Sequence, residues 1–269
     1  MLRAALGIGI GAWALGLWLA AANQRRLIFK PPTRVRELSP GPHPRSYRVE
    51  ALSIPVAVDA VLQGWRSTPL GEEAKGTLLY FGGRGEDVVW APHMSSYLVG
   101  WSVVAFNYRG FGASTGRASQ AAVMLDGRSL FDLLVPAGRP RILVGRSLGT
   151  SVALRLAGEV APQALALISP FPSLPHLARG HVLTAPLAPL LRHRLDARQC
   201  ATSVSCPTLV VMARGDPKVP NSQSLRLASY VAGPVTLAMI EGERHGSLPR
   251  CAATQQQLSA FVLASRPTP

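Results

Sequence analysis

The 269-residue chain is poor in cysteine, in lysine and in acidic groups, and each scarcity removes a class of protein. Cys200, Cys206 and Cys251 are too few for a disulfide framework, and their odd number leaves at least one thiol unpaired. Cys200 and Cys206 are close enough in sequence to pair in an oxidising compartment. No Cys-x-x-Cys motif occurs, and His176, His181 and His193 are too loosely spaced in a proline-rich segment to act as a ligand cluster, so no metal is expected. The only lysines are Lys30, Lys75 and Lys218, so arginine carries almost all of the formal +14 charge. These arginines are scattered, with no dense run and no interleaved aromatic platform. No nucleic-acid partner is therefore expected, and the charge reads as the surface of a membrane-proximal protein.

The most conspicuous presence is Ala4 to Ala22, 19 uncharged residues flanked by Arg3 and by Arg25-Arg26. At about 1.5 Å per residue it is long enough to cross a bilayer once as a helix. Ala20-Ala21-Ala22 also offers a small-residue cleavage site, which would make the segment a signal peptide. The length of the run and the arginines just after that site favour an uncleaved anchor. Arg25-Arg26 favours a cytoplasmic side for the rest of the chain, and Arg3 partly offsets this. The expected organisation is an anchor over residues 1–26, a Pro/Arg-rich linker over 27–44 and one α/β domain over 45–269.

Within that domain, Tyr47 to Ser53 and Ala60 to Arg66 read as a leading antiparallel pair. Apolar runs then alternate with helical stretches. Strands are expected at Thr77 to Phe81, Ser102 to Asn107, Ile142 to Val144, Leu165 to Ser169, Thr208 to Met212 and Val235 to Ile240. Helices are expected near Met94 to Val99, Ala118 to Leu134, Thr150 to Glu159, Ser222 to Val231 and Ala252 to Ala264. This rhythm implies a mostly parallel sheet with helices on both faces.

The chain is organised around Gly145-Arg146-Ser147-Leu148-Gly149, which joins an apolar run to a helical stretch. Such a strand–turn–helix context makes Ser147 a candidate nucleophile. A second match, Gly112-Ala113-Ser114-Thr115-Gly116, lies several residues past its strand and opens no helix, so Ser114 reads as a loop residue. In a sheet of this kind ligands sit outside the carboxyl ends of the strands. Asp216 and His245 each come after a strand, in the order Ser, Asp, His. A serine hydroxyl needs a neighbouring base, and His245 oriented by Asp216 supplies one. Asp196 is the rival acid, but it precedes its strand. The oxyanion donors are expected to be the amide of Leu148 and one from Gly82-Gly83-Arg84-Gly85, with Arg84 first and Gly83 as alternate.

With those residues in place the chain resembles the α/β-hydrolase family, and within it small membrane-anchored serine hydrolases of the Bem46-like type. The matching pieces are Gln24 to Phe29, Tyr80 to Gly83, Asn107 to Ser114, Gly145 to Gly149, Asp216 and His245. The resemblance implies an α/β-hydrolase fold with an eight-stranded sheet, and a serine ester or thioester hydrolase that needs no cofactor. Many relatives carry His-Gly in the oxyanion loop where this chain has Gly82-Gly83. Between Pro170 and Leu195 stands only a short proline-rich cap, which suggests an open site and an acyl ester or thioester substrate, lipid or lipidated. A peptidase of the same fold and a catalytically silent membrane interaction module are the alternatives.

Overall fold

The computed structural model describes residues 2–32, 46–180 and 183–265, without the side chains of residues 2–10. Most of the expected linker, residues 33–45, and His181 lie outside the described residues. Eight strands form one sheet: β1 (Tyr47–Ala57), β2 (Ala60–Pro69), β3 (Thr77–Phe81), β4 (Ser102–Phe106), β5 (Arg141–Arg146), β6 (Ala164–Ile168), β7 (Thr208–Ala213) and β8 (Val235–Ile240). Their spatial order is β1-β2-β4-β3-β5-β6-β7-β8. β2 pairs antiparallel with both β1 and β4, and every other pairing is parallel, so β2 alone runs against the rest.

The helices are α1 (Leu2–Ala22), α2 (Gln24–Ile28), α3 (Gln120–Leu134), α4 (Leu148–Val160), α5 (Leu174–Arg179), α6 (Ala197–Ala201), α7 (Asn221–Ala228) and α8 (Ala252–Ala264). The stretch expected as a helix near Met94 is a 3-10 helix spanning Val88–Ser96, with Pro92 inside it. Proline cannot donate the bond an α-helix needs there. α3 begins where Ser119 accepts from the Ala122 amide at 3.1 Å, a side-chain cap on a free helical N–H.

Strands β3 to β7 are buried on both faces, and the period of two divides their side chains between two cores. Leu79, Phe81, Val104, Phe106, Leu143, Leu165 and Val210 meet α3, α4, α6 and α7. Leu78, Tyr80, Val103, Ala105, Ile142, Val144 and Val211 meet the 3-10 helix and α8. The expected α/β layering is thus observed.

The chain reverses direction across the sheet at β3: β4 lies on one side of it and β5 on the other. Crevices open at such a switch point, outside the strand carboxyl ends. Two glycines let α4 close against it. A Cβ on Gly149 would stand 2.1 Å from the Phe81 carbonyl oxygen, and one on Gly145 would stand 2.6 Å from that of Gly149.

The described residues of the short cap form two short helices. Ser173 accepts from the His176 amide to start α5, and a 3-10 helix comes next at Ala185–Leu190. The lower part of α1 and α2 packs beside it. Ile28 and Phe29, expected in the linker, are buried in the α3/α4-side core. The expected membrane span begins among residues whose side chains are not described, and among the described residues no helix is long and apolar enough to cross a membrane. Cys200, Cys206 and Cys251 are all free thiols.

A Gly149→Ala variant is expected to lose on the order of 3 kcal/mol of stability, because rigid backbone rather than a flexible side chain blocks the new methyl. The midpoint of urea unfolding measures this. An unchanged midpoint would mean that α4 sits farther from β3 than this close approach requires.

Candidate active site

Ser147 stands between the end of β5 and the first residue of α4 with φ 50° and ψ −112°. A non-glycine residue reaches such a conformation only when its surroundings impose it. The Ser147 amide donates to the Ile168 carbonyl of β6 at 2.8 Å, and the Thr150 amide donates to the Ser147 carbonyl at 3.0 Å. Both ends of the turn are thereby fixed. The serine is 8% exposed and lines a cavity of about 710 Å³.

His245 lines the same cavity and lies with its Nδ1 at 2.7 Å from Asp216 Oδ2. Asp216 comes after β7 and His245 after β8, adjacent strands, so the sheet itself sets them side by side. Asp216 is held on four sides. Ser169 Oγ donates to Oδ2 at 2.8 Å, and the amides of Lys218 and Val219 donate to Oδ1 at 2.8 and 3.0 Å. Burial pushes the carboxyl pKa up, but the His245 hydrogen bond, the two amides and the imidazole charge outweigh it and bring it to about 2. Asp196, the rival acid, stands at the start of α6 instead and takes no part in this arrangement.

The glycine loop Gly82 to Gly85 is organised by one carboxylate. Glu86 Oε1 accepts from Tyr80 Oη and Trp90 Nε1, both at 2.9 Å. Its Oε2 accepts from the Gly83 amide at 2.6 Å and from the Arg146 guanidinium at 3.1 Å. The Gly83 amide, expected as the alternate oxyanion donor, is thus directed at Glu86, because a buried carboxylate is the stronger acceptor nearby. Arg84 and Leu148 remain, and both line the cavity. Arg146 also donates to the His245 carbonyl at 2.7 Å. One buried ion pair therefore ties the glycine loop, the Ser147 turn and the His245 loop together.

The Asn107-Tyr108-Arg109-Gly110 stretch braces this from behind. Tyr108 Oη donates to the Gly82 carbonyl at 2.8 Å, and Arg109 holds Asp126 of α3 through two bonds of 2.9 and 2.7 Å. Ser114 is buried, accepting from the Gln63 amide at 2.8 Å and donating to the Asn107 carbonyl at 3.0 Å. It is a loop pin, as its position past the strand implies. The functional context that sequence reasoning missed is Glu86, Ser169 and the bridging role of Arg146. The only signal for them is position: each stands within a few residues of a strand's carboxyl end.

The cavity has two characters. Leu27, Ile28, Phe171, Leu174, Leu177 and Leu187 give it apolar walls, and Lys30, Arg84 and Lys218 are its exposed cations. Among the described residues that line it there is no aspartate or glutamate.

Comparisons with known proteins bear on the family and the fold. The family described as Serine aminopeptidase, S33 matches residues 72–195. An uncharacterised protein of Mycobacterium tuberculosis is 30% identical over 236 residues, covering 83% of this chain and 81% of that protein. The lysophosphatidylserine lipase ABHD12 of Macaca fascicularis is 30% identical over 158 residues, covering 50% of this chain and 39% of that protein. Among solved structures, an acetyl xylan esterase from Paenibacillus sp. R4 superimposes with a TM-score of 0.62 at 20% identity, covering 94% of this chain and 92% of that one. That likeness is one of fold.

The buried groups set two expected outcomes. Glu86→Ala is expected to cost about 3–5 kcal/mol, since it leaves the Arg146 charge buried without its partner. Denaturant unfolding reads this directly, and a loss below about 1 kcal/mol would show the pair to be solvated. The carboxyl of Asp216 is lowered from 3.8 to about 2, so its contribution to stability, about 2 kcal/mol, is fully present above pH 3.8 and disappears as pH falls through about 2. The stability gap between wild type and Asp216→Asn should close across that window. A constant gap would place the stabilisation elsewhere.

Proposed function

The chain belongs to the α/β-hydrolase family, and from that premise we propose that it is a serine hydrolase cleaving carboxylic esters or thioesters of long acyl chains. The observation that carries the reading is the 2.7 Å contact between His245 Nδ1 and Asp216 Oδ2, in the cavity that Ser147 shares. With Nδ1–H donated to Asp216, the Nε2 atom of His245 is the basic one. It takes the Ser147 proton as Oγ attacks the acyl carbonyl. The amides of Leu148 and Arg84 receive the oxyanion. His245 then passes the proton to the leaving alcohol or thiol, and a water activated by His245 releases the acid from the acyl-enzyme.

The lining supports the substrate class. Leucine and phenylalanine walls suit an acyl chain, and Lys30, Arg84 and Lys218 suit an anionic leaving group. An aminopeptidase reading draws on the description of the matching family, but it would need an acidic group to hold a free α-amine. The described lining residues provide none. The lysophospholipid substrate named for ABHD12 has the same two parts, one acyl chain and an anionic head, which supports an ester of that kind here. We also propose that α1 holds the domain at a membrane with the domain on the cytoplasmic side. Trp13, Leu15, Trp18 and Leu19 are exposed along it, and Arg25-Arg26 stands just past its end.

A fluorophosphonate probe tests the chemistry. Wild type and Ser114→Ala should label, whereas Ser147→Ala should not label and should lose about 10⁴-fold or more in kcat on an acyl ester. Labelling that survives Ser147→Ala would overturn the assignment. Faster turnover of aminoacyl amides than of acyl esters would replace the esterase reading with the peptidase one.

A further inference from the structure

The end of the amino-terminal helix is built into the cavity beside the serine. Ala20, Gln24, Leu27 and Ile28 all line it, and they recur at intervals of three and four residues, one face of a helix that runs from α1 through Asn23 into α2. The helix is nearly continuous there, since the Asn23 amide donates to Leu19 and the Leu27 amide donates to Asn23. A membrane tether has no need to contribute to a substrate cavity, so this face calls for an explanation of its own.

Gln24 supplies one. It is a polar residue on an otherwise apolar face, and it is 6% exposed. Its amide reaches across to the cap over more than 160 residues of chain. Nε2 donates to the Ala21 carbonyl at 2.8 Å and to the Leu190 carbonyl at 3.3 Å. Oε1 accepts from the amides of Arg192 and His193 at 2.6 and 3.3 Å. Residues 191–195 carry no regular secondary structure, so their backbone groups need partners from outside the segment. Phe29 adds an edge contact to the His193 ring, with centroids 5.6 Å apart.

We propose that the α1–α2 junction, latched to the cap by Gln24, is a wall of the acyl-binding cavity and sets which acyl-chain lengths the enzyme accepts. Gln24 is a positioning residue. It fixes the distance between the helix face carrying Leu27 and Ile28 and the cap leucines Leu187 and Leu191, and an acyl chain lies between them. A long chain spans from the serine to this wall, whereas a two-carbon acyl group ends near the serine. Selectivity between the two therefore reports the wall, and loss of the wall does not require loss of chemistry. The inference rests on the esterase reading of the same cavity.

The test uses the full-length chain in detergent or vesicles, with p-nitrophenyl acetate and p-nitrophenyl laurate as probes and active sites counted by fluorophosphonate titration. In Gln24→Ala the laurate-to-acetate ratio of kcat/KM should fall about tenfold, the equivalent of roughly two buried methylenes, mainly through the laurate KM. Gln24→Glu keeps the Oε1 acceptor that receives the Arg192 and His193 amides but loses the Nε2 donor, and should restore part of the ratio. Leu27→Trp, which adds bulk to the same wall without touching the latch, should lower the ratio with no change in melting temperature. A wild type that labels and turns over both esters, with ratios unmoved by Gln24→Ala and Leu27→Trp, overturns this inference alone. An equal fall for both esters in Gln24→Ala also overturns it, because it marks a purely structural role. A folded wild type that neither labels nor turns over either ester removes the esterase reading and the inference with it.

Discussion

The buried pair between Glu86 and Arg146 is the constraint on which the rest of the site depends. Each side chain is 8% exposed, and each compensates the other's removal from water. Arg146 precedes the serine in its turn, and its guanidinium reaches both Glu86 beside the glycine loop and the carbonyl of His245. A Cβ on Gly83 would stand 2.4 Å from Arg146 Nη1, so the glycine in that loop is required by the arginine's path. A buried pair of this kind adds little net stability, because desolvation offsets the attraction. Its effect is that three loops from distant parts of the chain have one mutually consistent arrangement.

Much of this is legible in the sequence, for a physical reason. The inner strands of a parallel sheet are apolar on both faces, so they stand out as short unbroken runs, and Thr77 to Phe81 coincides with the observed β3. Ser147, Asp216 and His245 each come soon after such a run, and the fold needs nothing more to bring their loops to one end of the sheet. Elements lacking a periodic signal are less visible. α5, α6 and the 3-10 helix at Ala185–Leu190 are five or six residues long and rich in proline or arginine, too short to show a face.

Residues whose role depends on a meeting of loops are invisible in the sequence. Nothing around Glu86 announces that four donors converge on it, and nothing around Ser169 announces Asp216. The spent Gly83 amide belongs to the same class, since only the position of Glu86 decides which amide of the glycine loop stays free. Gln24 reads as one polar residue at the margin of an apolar run. Its burial is dictated by the unpaired backbone of a cap segment far away in sequence.

The cavity draws on residues 20–30, 84–85, 146–148, 171–178, 184–195, 217–219 and 245, stretches distributed over almost the whole chain. They span most of the chain, and the described cysteines offer no cross-link to hold them together. The complete cavity exists only once the sheet has closed from β3 through β8 and the helix end has settled against the cap. Its lining is a property of the whole fold, so a change in any one of these stretches alters a wall that the others share.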